Sequence, residues 1–107
     1  MNKFLALPRY AFTRTNVQYA PEETGIYGLF DDDGQLVYIG KATDRNDHSI
    51  MACLLRHQDG VHGECTMKAK AYSWEVTLWP SARETEVLAS FHQAHQRDPR
   101  CQSKAAA

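Results

Sequence analysis

Residues 25–40 read GIYGLFDDDGQLVYIG, and this stretch decides the fold that the sequence predicts. Two runs rich in Ile, Tyr, Leu, Phe and Val flank an Asp-rich turn that Gly34 closes, a pattern typical of a β-hairpin. Side chains alternate along a strand, so an even-numbered loop places Tyr27 opposite or diagonal to Tyr38, with both phenols on one face. A bulged three-residue loop would change this parity. The other face would carry Ile26, Phe30, Val37 and Ile39.

Downstream of the hairpin, apolar periodicity predicts a helix, a strand and a second helix. Asp47 or Ser49 can cap the first helix, at about 49–58. Alternating side chains predict the strand at 70–79, and the second helix follows at about 82–97. The order β-β-α-β-α predicts an α+β fold with a small three-stranded antiparallel sheet flanked by helices.

Each of these three elements has a predicted buried face. The side chains concerned are Ile50, Met51, Leu54, Leu55 and Gln58 in the first helix, Tyr72, Trp74, Val76 and Leu78 in the strand, and Val87, Leu88, Phe91 and Ala94 or His95 in the second helix. Residues 61–67 contain Gly63 and directly follow Gly60, and they predict a turn. We interpret residues 1–24 as an N-terminal extension, with its apolar side chains in a short strand or a clasp against the core, and residues 103–107 as a flexible tail.

Composition places the chain among globular proteins with a single domain. Its 107 residues are 43% hydrophobic and 23% charged, and no apolar run approaches the ~20 residues that a membrane span needs. Three widely spaced cysteines without a CxxC motif predict a reduced chain in the cytoplasm rather than a disulfide framework. The net charge is −1, so any affinity for phosphate must come from a local basic patch.

Two tripeptides at hairpin spacing carry a family resemblance. Ten residues separate Gly25-Ile26-Tyr27 from Tyr38-Ile39-Gly40-Lys41. The pair resembles the signature of the GIY-YIG nuclease family, and residues 25–102 would form the nuclease-like domain. The resemblance implies a metal-dependent endonuclease that hydrolyses DNA phosphodiester bonds with Mg²⁺ or another divalent metal. The alternative from the residues alone is an aromatic hairpin whose tyrosines only pack and hydrogen-bond.

Phosphodiester hydrolysis needs a base, positive charge on the phosphoryl oxygens and usually a carboxylate-held metal. The resemblance implies that Tyr27 positions or deprotonates water and that Tyr38 hydrogen-bonds the scissile phosphate. It also implies an arginine on the first helix, four residues before a histidine. His57 fits the histidine, but Cys53 stands at the arginine position, and Arg56 is the nearest replacement. The alternative for Arg56 and His57 is a solvated helix end.

The resemblance also implies a metal-binding glutamate on the last helix. Glu84 precedes the apolar pair Val87-Leu88 at the expected spacing, whereas Glu86 points elsewhere. A competing interpretation makes Glu84 part of a capping box with Ser81. Lys41 and Arg45 would contact the nucleic-acid backbone as a small basic patch. Gln102 stands where many family members have an asparagine, and a structural contact is expected there.

Two other classes of function remain open at this stage. Cys53 in place of arginine, together with the near-neutral charge, favours a catalytically impaired domain that binds nucleic acid or a protein partner without cleavage. A zinc-stabilised module would use His62, Cys65, His92 and His95. So short a chain is also expected to select its target through a homodimer or a protein partner. No membrane partner is expected.

Overall fold

The hairpin lies in a four-stranded antiparallel sheet with the strand order β1-β4-β2-β3. A computed structural model describes residues 3–103. The strands are β1 (Tyr10–Ala11), β2 (Gly25–Phe30), β3 (Leu36–Ala42) and β4 (Ala71–Val76), and the helices are α1 (Arg14–Val17), α2 (Ile50–Gln58), α3 (Glu64–Met67) and α4 (Pro80–His95). A 3₁₀ turn, Phe4–Ala6, precedes β1.

The α+β class is confirmed, but the prediction of three strands is wrong because residues before the hairpin add β1. Tyr10 pairs with Tyr72 of β4, and the amide of Phe12 donates to the Lys70 carbonyl at 2.9 Å. β1 has only two residues, both exposed, so it has no alternation for a sequence pattern to detect. The predicted turn at 61–67 likewise contains the short helix α3.

Two irregularities in the hairpin cancel each other. Five residues, 31–35, separate β2 from β3, so the predicted even-numbered loop is wrong. The register then shifts, since Leu29 pairs with Tyr38 while Phe30 pairs with Leu36. The shift is a β-bulge with one extra residue in β3, which reverses the parity a second time. Tyr27 and Tyr38 therefore share one face, as predicted, and stand diagonal to each other.

The bulge changes which residues of β3 pack on each side of the sheet. Val37 joins the core cluster that contains Tyr27 and the residues of α2, whereas the prediction placed it with Ile26. Leu36 takes the place that Val37 was expected to fill. The second cluster lies under α4 and contains Ile26, Phe30, Leu36, Ile39, Val87 and Phe91, with Phe4. Helices therefore cover both faces of the sheet.

Helix α2 begins as predicted, with Ser49 as its N-cap. The Ser49 hydroxyl accepts a hydrogen bond from the Ala52 amide at 3.2 Å. The predicted buried stripe is displaced: the buried side chains are Ile50, Cys53, Leu54 and His57, while Met51, Leu55 and Gln58 are only partly buried. A buried histidine is tolerated when both ring nitrogens find partners, and His57 has both.

Strand β4 and helix α4 also depart from their predicted faces. β4 lies between β1 and β2, so Ser73 is buried, while Val76 is exposed and Leu78 lies beyond the strand. α4 starts at Pro80 with no side-chain cap, so the capping box predicted for Ser81 and Glu84 does not form. In α4, Val87 and Phe91 are buried and Leu88 is partly buried, while Ala94 and His95 are exposed.

The cysteine prediction is wrong. Cys65 of α3 and Cys101 form a disulfide across 36 residues, and Cys53 is free and buried. The bond joins segments that only the tertiary structure brings together, so the spacing of the cysteines does not reveal it. The disulfide therefore removes the reason for predicting a reduced chain.

The segment after α4 covers the outer edge of β3. The Cys101 amide donates to the Val37 carbonyl at 2.8 Å. The Gln102 side chain accepts from the Ile39 amide at 2.9 Å and donates to the Ile39 carbonyl at 2.7 Å, which confirms the expected structural contact. These bonds satisfy backbone groups that an edge strand would otherwise expose. Of the predicted flexible tail at 103–107, residues 104–107 lie outside the described residues.

No helix among residues 3–103 has both the length and the apolar character required to cross a bilayer.

Replacing Phe4 by alanine is expected to destabilise the protein by about 3–5 kcal/mol, because the ring is fully buried in the cluster under α4. The ring packs against Gly28, where an added Cβ would lie 2.8 Å from Phe4 Cε2. Urea unfolding followed by circular dichroism measures the change. The neighbouring Leu5→Ala is the control, since Leu5 is 50% exposed and its loss should change stability by less than about 0.5 kcal/mol. Equal effects would contradict the prediction.

Candidate active site

An open cleft of about 440 Å³ lies beside the hairpin, α2 and the first turns of α4. Its side chains come from two strands, two helices and two loops. The cleft is lined by Tyr27, Tyr38, Lys41, His48, Cys53, Arg56, His62 and Glu84. The predicted residues Tyr27, Tyr38, Lys41, Arg56 and Glu84 thus share one cleft, whereas His57 lies behind it and Arg45 lies away from it.

The two tyrosines stand side by side, with ring centroids 6.2 Å apart. Tyr27 lies directly opposite Gly40 in the β2–β3 register. A Cβ at position 40 would lie 2.2 Å from Tyr27 Cζ and 2.3 Å from its hydroxyl oxygen. The phenol of Tyr27 therefore occupies the space that any side chain at residue 40 would need.

Gly40→Ala is expected to destabilise the protein by about 1–3 kcal/mol, because the new methyl group collides with the Tyr27 ring. Urea unfolding measures the change. A double-mutant cycle gives the control: in a Tyr27→Ala background the collision is removed, so Gly40→Ala should be neutral or stabilising there. The same loss in both backgrounds would show that the ring is not the cause.

His57 supports Tyr27 from the protein interior. Its Nε2 lies 2.9 Å from the Tyr27 hydroxyl, and its Nδ1 lies 2.8 Å from Thr66 Oγ1. The side chain is fully buried, which excludes a solvated helix end for this residue. Burial, and then the nearby His62, lower the pKa of His57 to about 3. At neutral pH the imidazole is therefore uncharged, with one N–H donor and one lone-pair acceptor.

Both phenols remain protonated at neutral pH. Burial is the main cause that raises the pKa of Tyr27 well above its ordinary value, and the neighbouring Tyr38, Cys53 and Glu84 raise it further. Burial and the charge of Glu84 also raise the pKa of Tyr38. Tyr27 alone is thus a poor base, and a proton that it accepts must be balanced by one that it passes to His57.

Arg56 lies beside the residue that stands at the expected arginine position. Burial raises the pKa of the Cys53 thiol, and the charge of Arg56 and hydrogen bonds to Tyr27 and Arg56 oppose that rise. Arg56 and Cys53 both line the cleft. The guanidinium on the next turn of α2 therefore reaches the space beside Cys53, the geometry that the lean of helical side chains predicts.

Glu84 faces the cleft from the first turns of α4. Burial raises the pKa of its carboxyl group, and the ammonium of Lys41 opposes this rise. Lys41 Nζ donates to Ser81 Oγ at 3.2 Å, so it bridges β3 and α4 at the edge of the cleft. Glu86 forms an ion pair with Arg83 and does not line the cleft. Arg83 also binds Glu75 at 2.7 Å. The structure thus distinguishes the two glutamates by position.

The remaining candidate residues lie outside the cleft. Arg45 forms an ion pair with Glu23 at 3.0 Å on the surface, so its predicted place beside Lys41 is not observed. Of the residues considered for zinc, Cys65 is in the disulfide and His95 stacks on Phe91. Within residues 3–103 no three His, Cys, Asp or Glu side chains are grouped so that they could hold a metal ion.

The structure adds three residues to this region: the sequence analysis assigned no role to two of them, His48 and Thr66, and named His62 only as a candidate zinc ligand. His48 and His62 line the cleft, and the His62 ring centroid lies 4.6 Å from that of His57. Thr66 is fully buried against His57. All three come from loops or from the short helix α3, where no periodic pattern assigns a direction to a side chain. No sequence signal could have placed them at the cleft.

A scan against protein-family models finds no match to this chain, and a search of curated proteins finds none either.

Proposed function

We propose that this protein is a metal-dependent endonuclease that hydrolyses DNA phosphodiester bonds, as its resemblance to the GIY-YIG family implies. One observation supports this most: the two signature tyrosines and Glu84 line the same cleft, together with the cations Lys41 and Arg56. A packing-only hairpin would not need a carboxylate from α4 and a guanidinium from α2 at the same place. The cleft contains the three kinds of group that phosphoryl transfer requires.

Tyr27 has the position of a proton carrier in the hydrolysis. Its hydroxyl can take a proton from an attacking water molecule while it passes its own proton to Nε2 of His57, 2.9 Å away. His57 is neutral and so is free to accept. A phosphodiester bound beside these rings would raise the pKa of His57, because a nearby negative charge favours the imidazolium form. Substrate binding thus increases the basicity of the pair.

Tyr38, Arg56 and Lys41 would bind the scissile phosphate. The Tyr38 hydroxyl, with its raised pKa, is a neutral donor to a phosphoryl oxygen. Arg56 and Lys41 supply the positive charge, and Arg56 takes over the place of the arginine that the family resemblance leads one to expect at residue 53. Positive charge near the phosphoryl oxygens lowers the barrier because negative charge develops there in the transition state.

The residues of the cleft fit a single Mg²⁺ ion or a similar divalent metal. Mg²⁺ is commonly held by one or two carboxylates, water and substrate phosphates, and Glu84 is the carboxylate that faces the phenols. Its raised pKa indicates a partly desolvated carboxylate that a cation would stabilise in the charged form. When bound, the metal would supply Lewis-acid stabilisation of the phosphoryl oxygens.

One observation favours a second candidate, a domain that binds nucleic acid without cleavage. Cys53 places a neutral thiol where the family resemblance implies a permanent charge, so Arg56 must act from a different position on the helix. Lys41 and Arg56 would then still contribute to binding. With two phosphate contacts, the slope of log K against log salt would be about −2.

Plasmid cleavage tests the proposal. Supercoiled plasmid is incubated with the full chain in Mg²⁺, in Mn²⁺ and in EDTA, and a Glu84→Gln protein purified in parallel controls for contaminating nucleases. We expect nicked or linear DNA in Mg²⁺ or Mn²⁺ and none in EDTA or with the variant. Salt-dependent DNA binding without cleavage in either metal would select the second candidate. Cleavage that the Glu84→Gln protein shows equally would overturn the assignment of this cleft.

A further inference from the structure

A chain of buried polar contacts continues beyond the cleft into the interior. Tyr27 contacts Nε2 of His57, and Nδ1 of His57 contacts Thr66 Oγ1 at 2.8 Å. His57 and Thr66 are both fully buried, so each depends on protein partners for its hydrogen bonds. Thr66 does not line the cleft, yet its hydroxyl contacts the imidazole nitrogen that Tyr27 does not contact.

The disulfide joins the short helix that carries Thr66 to the sheet. α3 has four residues, and no side chain caps its N-terminus. An isolated helix of this length is not stable in water, so it depends on tertiary contacts. Cys65, the neighbour of Thr66, is bonded to Cys101, whose amide donates to the Val37 carbonyl of β3 at 2.8 Å. The bond therefore connects α3 to the strand that also carries Tyr38.

We propose that Thr66 is a positioning residue for Tyr27, that it acts through His57, and that the Cys65–Cys101 disulfide holds it in place. The expected effect on activity rests on the proposed nuclease function. The expected effect on the His57 tautomer does not. It assigns a role to a threonine and a disulfide that lie outside the cleft.

The physical reason lies in the tautomer of His57. A neutral imidazole carries one proton, which can sit on Nδ1 or on Nε2. When Thr66 accepts from Nδ1–H, the lone pair of Nε2 faces the Tyr27 hydroxyl, and Tyr27 can pass its proton to it. Without the threonine oxygen, a proton on Nδ1 would be buried and unpaired, so it moves to Nε2 and donates to the Tyr27 oxygen. That tautomer can no longer accept the proton of Tyr27.

Thr66→Val and Thr66→Ser separate this role from simple packing. Valine keeps the shape and removes the oxygen, whereas serine restores the oxygen. The ¹⁵N shifts of the His57 ring nitrogens report which nitrogen carries the proton, without DNA or metal. We expect the proton on Nδ1 in the parent and in Thr66→Ser, and on Nε2 in Thr66→Val. An unchanged tautomer in Thr66→Val would overturn the proposal.

Cleavage kinetics supply the second measurement. Loss of the positioning hydrogen bond should lower kcat of Thr66→Val by roughly 10- to 100-fold with KM within about twofold, and Thr66→Ser should recover most of kcat. Equal losses of kcat in Thr66→Val and Thr66→Ser would show that the hydroxyl is not the cause and would overturn the proposal. If the parent cleaves no DNA, the proposed function fails, and the ¹⁵N measurement still decides the role of Thr66.

Reduction of the disulfide tests the last part of the proposal. A dithiol reductant breaks the S–S bond and leaves two thiols, while its own two thiols are oxidised to a disulfide. We expect the His57 signals of the reduced protein to show a mixture of tautomers, and reoxidation to restore the parent spectrum. The double variant Cys65→Ala with Cys101→Ala should behave like the reduced protein, as long as circular dichroism shows that it is folded. A single unchanged tautomer after complete reduction would show that the disulfide does not hold Thr66.

Discussion

Tyr27→Phe is expected to lower the rate of DNA cleavage by about 10²–10⁴-fold, the range associated with loss of one general acid–base group. The variant keeps the ring that fills the space over Gly40 and removes only the hydroxyl between the cleft and His57. Single-turnover cleavage at saturating protein measures the chemical step, so a change in DNA affinity does not enter the rate.

Tyr19→Phe is the matched control, since Tyr19 is 84% exposed. The Tyr19→Phe protein should cleave DNA at the parent rate. Tyr27→Phe also leaves His57 Nε2 without its partner, which should reduce stability by about 1–3 kcal/mol. Rates are therefore compared well below the unfolding temperature of both proteins. A folded Tyr27→Phe protein that cuts as fast as the Tyr19→Phe protein would remove Tyr27 from the mechanism.

Glu84→Gln is expected to reduce cleavage by at least about 100-fold at ordinary Mg²⁺ concentrations, because it removes the carboxylate that would hold the metal. Calorimetric titration with Mn²⁺ should show binding to the parent and none to the variant. The raised pKa of Glu84 gives the sign of the pH dependence. As the pH falls, this carboxylate takes up a proton earlier than an ordinary glutamate, so the apparent metal affinity decreases.

Glu86→Gln provides the control on the same helix. Its carboxylate pairs with Arg83 and does not line the cleft, so metal binding and cleavage should remain at parent levels. If Glu86→Gln lost metal binding while Glu84→Gln kept it, the metal would have to lie outside the cleft. The two substitutions change the net charge equally, so a general electrostatic effect would change both proteins by the same amount.

Local patterns in the sequence predicted the elements with clear periodicity. The hairpin around Gly34, the Ser49 cap of α2, the central strand β4 and the helix α4 all form close to where they were expected. The tyrosines share a face as predicted, although an odd-numbered loop and a bulge in β3 each reverse the parity and cancel. Because of that bulge, the prediction for Val37 is wrong: its side chain packs on the opposite side of the sheet.

Errors concentrate where the relevant partner lies far away in the sequence. β1 forms only because β4 offers an edge, and the disulfide forms because the C-terminal segment returns to α3. His57 was expected on a face neighbouring the buried stripe, but its side chain is fully buried. Its burial depends on Tyr27 and Thr66, which satisfy both ring nitrogens. Local composition contains no information on such pairs.

The sequence by itself determined the hairpin and the Ser49 cap that starts α2. These features follow from alternation and capping, which act over a few neighbouring residues. Only the tertiary structure decided that Arg56 and Glu84, which the sequence favoured, reach the same cleft as the two phenols, and that Thr66 contacts His57. Those outcomes depend on how helices pack on the two faces of a sheet, because packing brings together side chains that are distant along the chain.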